Sequence, residues 1–546
     1  MKFGKRIVLF NLFVMNLVDQ PAPEVEIEQG VLSGKISPDG SFYEYLGIPY
    51  ATTNSSTRFK APLPPPSWKG VFKAIDEVDL CPQNSVFGII GTEDCLKINV
   101  YVPVYGKRPL PVMVYVHGGA FILGSGGKLL YAPDYLIKHD VIVITFNYRL
   151  GALGFLCLGT KDAPGNAGLK DQIAALRWVR KNVAAFGGDP DNITIFGQSA
   201  GGTSVSLLLA SEATTGLYKR AIVQSGSSLS SWALNRQPKW VASLIVKELG
   251  HDTNDPEEIY EILSKTSFKD LVRTKPARPL DKYLDTQLLH LPCVEKYIPG
   301  VEPAITDLPI NLLTNKPKTN VSVMYGTTSK EGLFVISKDD DKTVKERDEK
   351  YIFASDLEFP SEKQAEIEDN KVRQFYFGDE RMSMKNILNI SDMFTHLYFE
   401  VPSILESEIL MENSNMPVYN YYFNYAGGRN FLKYITGFKH ESGACHADEL
   451  LYIFRGNLWP FPIRNKDQQM INWMTKLWTN FAKNGDPTPP HDSQELPVRW
   501  SPSKKEDVKF LHIEDELTMG RTPNPSAYRL WKDLYNKYRK KYVDIY

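Results

Sequence analysis

The pentapeptide Gly197-Gln198-Ser199-Ala200-Gly201 constrains this chain more than any other segment, because of what flanks it. Ahead of it runs Ile193-Thr194-Ile195-Phe196, apolar and β-branched as a buried strand is, and behind it come small residues and an apolar stretch. A strand that turns abruptly into a helix needs little bulk at the turn. Glycine on both sides of Ser199 supplies the turn and lets the helix pack close to its strand. Such an elbow pushes the hydroxyl into a cleft, which makes Ser199 a candidate nucleophile.

A serine attacks a carbonyl only if something receives the negative charge that grows on the carbonyl oxygen and something else takes the hydroxyl proton. His117-Gly118-Gly119-Ala120-Phe121 follows the apolar run Pro111 to Val116, and its small residues leave backbone N–H groups free to face a ligand. With the N–H of Ala200 they form a candidate oxyanion hole. A phosphate-binding loop is the rival reading, but no G-x-x-x-x-G-K-[ST] pattern follows.

The base is expected to be histidine, whose ring gives and takes protons near neutral pH. Where a strand presents serine on such an elbow, the acid and then the histidine follow it in the chain. Glu331, in Gly326 to Gly332 directly after the apolar run Val321 to Gly326, is the candidate acid, although a lone glutamate is as easily a surface carboxylate. Five histidines lie beyond it: His396, His440, His446, His491 and His512. His446 is preferred because the small-residue loop Gly443 to Glu449 leads into the apolar Leu450 to Phe454, and His440 is its chief competitor. No histidine pair stands at helical spacing beside a glutamate, so no metal is expected.

Strands alternate with helices along the chain, without repeats, which points to an α/β fold. Pro111 to Val116, Val141 to Phe146, Ala221 to Ser225 and Val321 to Gly326 read as strands of a parallel sheet covered on both faces. Between them, Ala167 to Phe186 reads as a helix ended by Gly187-Gly188-Asp189-Pro190. The charged stretch Lys338 to Lys350 reads as a solvated face or loop, and Pro62 to Pro66 as a surface connector. Lys plus Arg (63) nearly balances Asp plus Glu (64), so no global field recruits nucleic acid or an anionic membrane.

Residues 1–22 combine a basic start, the apolar segment Ile7 to Val18 and a polar, proline-containing exit, the pattern of a secretory signal rather than a membrane span. Residues 23–546 are then expected to form a single exported domain without a stable membrane anchor, since Lys537 to Tyr546 offers no hydrophobic tail. Five cysteines leave at least one thiol unpaired; Cys81 and Cys95 bracket a short loop that a disulfide can staple, and Cys157, Cys293 and Cys445 are scattered. Sequons at Asn54, Asn320 and Asn389 are candidate glycosylation sites, and a fourth at Asn192 is disfavoured because it starts the elbow strand.

From Val25 to Trp531 the chain resembles the type-B carboxylesterases, the cholinesterase and carboxylesterase branch of the α/β-hydrolases. The matching segments include Gly47 to Ala51, Glu93 to Leu96, the His117 loop, Asn147 to Gly151, Gly165 to Gln172, the elbow, Gln224 to Gly226, Lys330 to Gly332, His446 to Leu450 and Phe481 to Gly485. The resemblance implies an α/β-hydrolase fold with a large, mostly parallel central sheet flanked by helices, a triad of Ser199, Glu331 and His446, and oxyanion donors on Gly119, Ala120 and Ala200. It also implies a supporting or pocket role for Gly118, Gln198, Ser225 and Trp232, with Ser225 bonding near the triad and Trp232 walling the acyl pocket, and a Cys81–Cys95 disulfide. Ala120 stands where the family more often has glycine.

What the resemblance implies in function is cofactor-free hydrolysis of small-molecule carboxylic esters through an acyl-enzyme. Cholinesterases carry a longer Cys-to-Cys loop with a cation-holding tryptophan and an acid before the nucleophile. Here the loop is short and lacks tryptophan, and the residue is Gln198, so choline esters are disfavoured. The pattern is most similar to exported insect esterases of broad specificity. Gln198 is shared with juvenile hormone esterases, which keeps hormone hydrolysis as an alternative. Non-catalytic, neuroligin-like adhesion is the alternative of another class, disfavoured because all three triad residues are present.

Overall fold

The structure, a computed structural model, describes residues 20–542 apart from 78–79, 277–281, 285, 287, 316–319, 460 and 491–494. Residues 1–19 of the expected signal and His491 therefore lie outside the described residues. Its strands in chain order are β1 (Pro21–Ile27), β2 (Gly30–Ile36), β3 (Phe42–Pro49), β4 (Val71–Lys73), β5 (Gln83–Ser85), β6 (Gly88–Ile90), β7 (Lys97–Pro103), β8 (Leu110–Val116), β9 (Ile142–Phe146), β10 (Gly188–Gln198), β11 (Arg220–Gln224), β12 (Ser322–Thr328), β13 (Val418–Phe423), β14 (Phe510–Ile513) and β15 (Leu517–Gly520).

Apart from the hairpin β5–β6, these strands form one sheet in the order β1-β2-β3-β7-β9-β8-β10-β11-β12-β13-β14-β15, with β4 beside β2. The run from β9 through β8 to β14 is parallel, and antiparallel strands extend it at both ends. This is the α/β-hydrolase architecture.

Alternating side chains feed two cores. Val112, Val114, Val116, Ile193 and Ile195 face one layer, where they pack with the helices Ala167–Asn182, Ala200–Ala210, Val401–Asn413 and Pro525–Tyr538. Met113, Tyr115 and Phe196 face the other, with the helix Asn465–Asn484. Because both faces are covered, the strands read as unbroken apolar runs, the signal that makes them legible in sequence.

Two features go beyond what the sequence announces. Asp341–Asp348 is a helix, started by the Asp340 side chain on Thr343 N–H, and its Asp348 is buried and pairs with Arg373 and Arg381. That charge run is therefore a helix with a solvated face, docked on the body of the protein through Val344 and Asp348. Cys157 and Cys293 are joined by a second disulfide beside Cys81–Cys95, which leaves Cys445 as the free, buried thiol. β1 begins at Pro21, and Ala22 is already buried in it. The asparagines of the sequons at Asn54, Asn320 and Asn389 are exposed, although Ser322 and Ser391 of the latter two are buried and the Asn389 amide nitrogen donates to the Tyr376 carbonyl.

Candidate active site

Every candidate group sits at or beyond the carboxyl ends of the parallel strands, where α/β sheets place their ligands. Ser199 follows β10 with φ 59° and ψ −126°, a conformation that costs energy for any residue with a side chain. Surrounding contacts over-determine it. Ser199 N–H donates to the Gln224 carbonyl and the Ser199 carbonyl accepts from Thr203 N–H. A Cβ on Gly201 would stand 2.0 Å from the Val116 carbonyl oxygen, and one on Gly197 2.5 Å from that of Gly201, so only glycine lets helix and strand close this tightly.

The loop after β8 is built by the same means. Gly119, Ala120 and Phe121 all have positive φ (117°, 54° and 62°), and a Cβ on Gly119 would meet the Leu123 carbonyl oxygen at 2.0 Å. Neither the Gly119 nor the Ala120 amide donates to an acceptor among the described residues. Ala200 opens its helix, so its N–H has no carbonyl four residues back within that helix. His117 is scaffolding: its ring is fully buried, stacks on Tyr148 at 4.3 Å and bonds the Gly118 carbonyl, and burial pushes its pKa down to about 4, which keeps it neutral.

Opposite lies a pair brought together over 115 residues. Glu331 Oε2 is 2.5 Å from His446 Nδ1, and Glu331 Oε1 accepts the Thr328 N–H at 2.7 Å. The two segments are tied by main chain, since Lys330 N–H donates to the Ala444 carbonyl and Ala444 N–H to the Ser329 hydroxyl. Asp448 closes the histidine loop by accepting the Cys445 N–H at 2.7 Å. Phe334 and Phe399 flank the imidazole at 5.3 and 4.8 Å. His440, the competing histidine, is in no such pairing, and His396 bonds Tyr376.

Other buried carboxyls surround this pair. Glu449, fully buried with Oε1 accepting from Gln224, and Asp448 are pushed up by burial to about 8 and about 7, and Glu400 also to about 7. Glu449 is therefore largely protonated at neutral pH.

Ser199 and His446 line one cavity of about 640 Å³, together with Gly118, Gly119, Ala120 and Gln198. Its remaining wall is mostly apolar, from Leu80, Leu123, Leu129, Leu130, Phe334, Phe431, Leu432, Leu450 and Leu451. Gln83, from the Cys81–Cys95 loop, holds the far end of the oxyanion loop by bonding both N–H and carbonyl of Gly124.

Two expectations need correction in detail. Trp232 does not wall this cavity: it is buried one ring away, donating to the Tyr398 carbonyl and packing on Phe399, which in turn packs on His446. Ser225 sits at the end of β11 in a positive-φ turn, but its buried hydroxyl has no hydrogen-bond partner, so it bonds nothing near the triad here. The partner of His446 Nε2 is the Gln198 side-chain amide, 3.2 Å away, and the Ser199 hydroxyl makes no hydrogen bond among the described residues. Phe334, Phe399, Asp448 and Glu449 are not singled out individually by the sequence, because flanking rings and buried acids carry no spacing signal of their own.

Known proteins resemble this chain along most of its length. The profile of the family described as "Carboxylesterase family" matches residues 21–531. Juvenile hormone esterase of Heliothis virescens is 36% identical over 85% of this chain and 85% of its own length, and esterase FE4 of Myzus persicae 31% identical over 94% and 93%. Among solved structures, juvenile hormone esterase from Manduca sexta, with OTFP covalently attached, superposes with a TM-score of 0.82 at 29% identity, covering 94% of this chain and 99% of that one.

Proposed function

The chain belongs to the carboxylesterase family and is a carboxylic-ester hydrolase, and from that premise we propose that Ser199, His446 and Glu331 are its catalytic residues. His446 takes the Ser199 proton as the hydroxyl attacks the ester carbonyl, then gives it to the departing alcohol; water, activated by the same ring, releases the acid from the acyl-enzyme. Glu331 holds the Nδ1–H tautomer and stabilises the imidazolium, while the amides of Gly119, Ala120 and Ala200 receive the oxyanion. The observation that carries this is the buried 2.5 Å Glu331–His446 pair opening onto the same cavity as Ser199.

The substrate is a neutral ester with apolar groups, taken with broad specificity. The apolar part of the cavity wall is largely leucine and phenylalanine, no tryptophan lines it among the described residues, and the residue before the nucleophile is the uncharged Gln198, which disfavours a choline cation beside Ser199. Export fits the leader-like start and the two disulfides, which persist in oxidising compartments. The test is hydrolysis by the purified chain of short aryl acetates, a juvenile hormone and acetylcholine. Turnover of the aryl esters and the hormone at comparable efficiency, with acetylcholine poor, is expected. Strong selectivity for the hormone would replace the broad reading, and inactivity towards all three would remove it.

A further inference from the structure

The Nε2 atom of His446 is the one that must exchange a proton with Ser199, yet here it faces Gln198. With Nδ1–H directed at Glu331, Nε2 carries a lone pair and needs a donor, and the Gln198 Nε2 amide stands 3.2 Å from it. Gln198 is 3% exposed, at the last position of β10, and its Oε1 lies on the other side against Gly118, 3.4 Å from where a Cβ on that glycine would be. The side chain thus spans the floor of the cavity between oxyanion loop and imidazole, and it carries both a donor and an acceptor on a terminal bond with broad, roughly two-fold torsional preference.

We propose that Gln198 is a positioning residue for His446: while no ester is bound, its NH2 donates to Nε2 of the neutral ring, and a half-turn of the amide presents its oxygen to Nε2–H of the protonated ring. An entering ester and the Ser199 hydroxyl take over that partnership. Without Gln198 the edge of the ring facing the cavity loses the hydrogen bond it has here, and its orientation before Ser199 and an ester engage depends on Glu331, Phe334 and Phe399. A neutral amide also adds no charge where Glu331 already supplies one. The other ionisable groups around the ring are Asp448 and Glu449 on its own loop, Glu400 next to Phe399, Lys330 beside Glu331, paired with Asp392, and Lys433, which donates to the Gly443 carbonyl. None of them bonds Nε2 among the described residues.

The experiment is the pH dependence of kcat/KM and the separate kcat and KM values for a neutral aryl ester, on wild type, Gln198→Glu and Gln198→Leu. Each is counted by the burst of released phenol, so that only competent sites contribute. Gln198→Glu, nearly isosteric, puts a carboxylate on Nε2–H and is expected to move the acid limb up by about one pH unit or more. Gln198→Leu is expected to lower kcat roughly tenfold with KM nearly unchanged, the loss of about one hydrogen bond from the working geometry. An acid limb that stays put in Gln198→Glu overturns the proposal, as does a Leu variant changed only in KM, since both describe a side chain that merely lines the cavity. If the Leu variant does not fold, the Glu variant decides alone. This inference rests on the triad reading above: hydrolysis that survives Ser199→Ala removes both, whereas an unmoved acid limb with Ser199 essential removes this one only.

Discussion

The two sides of the cavity are made of different material. On one side, Ser199 and the Gly119 loop are held by main chain pressed on main chain, where added Cβ atoms on Gly119 and Gly201 would come within 2.0 Å of carbonyl oxygens. On the other, Glu331 and His446 are held by side chains, buried carboxylates and one bridge between distant segments. The backbone side has almost no freedom to adjust. The side-chain side is tuned through hydrogen bonds and protonation, so substitutions there should give graded effects, and those on the backbone side abrupt ones.

The largest expected effect nonetheless falls on the side-chain half, because one contact there sets the tautomer. Glu331→Gln should lower kcat by about ten-thousandfold on an aryl ester while the fold, followed by circular dichroism, persists. Gly119→Ala should cost about 3 kcal/mol of transition-state stabilisation, a hundredfold or more in kcat, since the added methyl cannot fit at φ 117° without moving the N–H off the oxyanion. If Gly119→Ala were nearly neutral, the contrast between the rigid and the tunable side would be broken.

Asp448→Ala frees the Cys445 and Lys433 N–H groups inside the loop and should cost about 1–3 kcal/mol in stability, measured by denaturant unfolding, with a smaller loss of activity. Glu449→Gln tests the weakest coupling. Burial raises the Glu449 pKa from 4.5 to about 8, so between those values the folded chain keeps a proton that the unfolded chain has released. Wild-type stability from this group is therefore full at low pH and falls as pH rises through that window. The amide that replaces the carboxyl does not titrate, so the variant should gain on wild type from pH 5 to 8 in thermal midpoint, with activity at pH 7 little changed. An unaltered pH slope would show that Glu449 is not the proton holder.

The same division decides what was legible in the sequence. The backbone half is written locally: Gly197, Gly201 and the His117-Gly118-Gly119 run are needed where the chain turns, and they stand beside strands whose unbroken apolar runs announce a covered parallel sheet. The side-chain half is written in residues far apart. His446 was separable from His440 only by its loop composition and by the family pattern, because the Lys330–Cys445 bridge that seats it is a tertiary contact. Cys157 and Cys293 are 136 residues apart and give no local sign of pairing, and Trp232 carried over as a wall although Phe399 stands between it and His446. Lys338 to Lys350 has the solvated face its charge density announces, but that density says nothing of where a helix docks, and Asp348 is buried where it pairs with Arg373 and Arg381.

The most direct measurement is covalent labelling of the purified chain with a fluorophosphonate, followed by peptide mass spectrometry and residual ester hydrolysis. The account predicts a single adduct, on Ser199, formed in proportion to lost activity, and neither labelling nor hydrolysis in Ser199→Ala. Hydrolysis that persists in that variant, or an adduct on another residue that accounts for the inhibition, would contradict it.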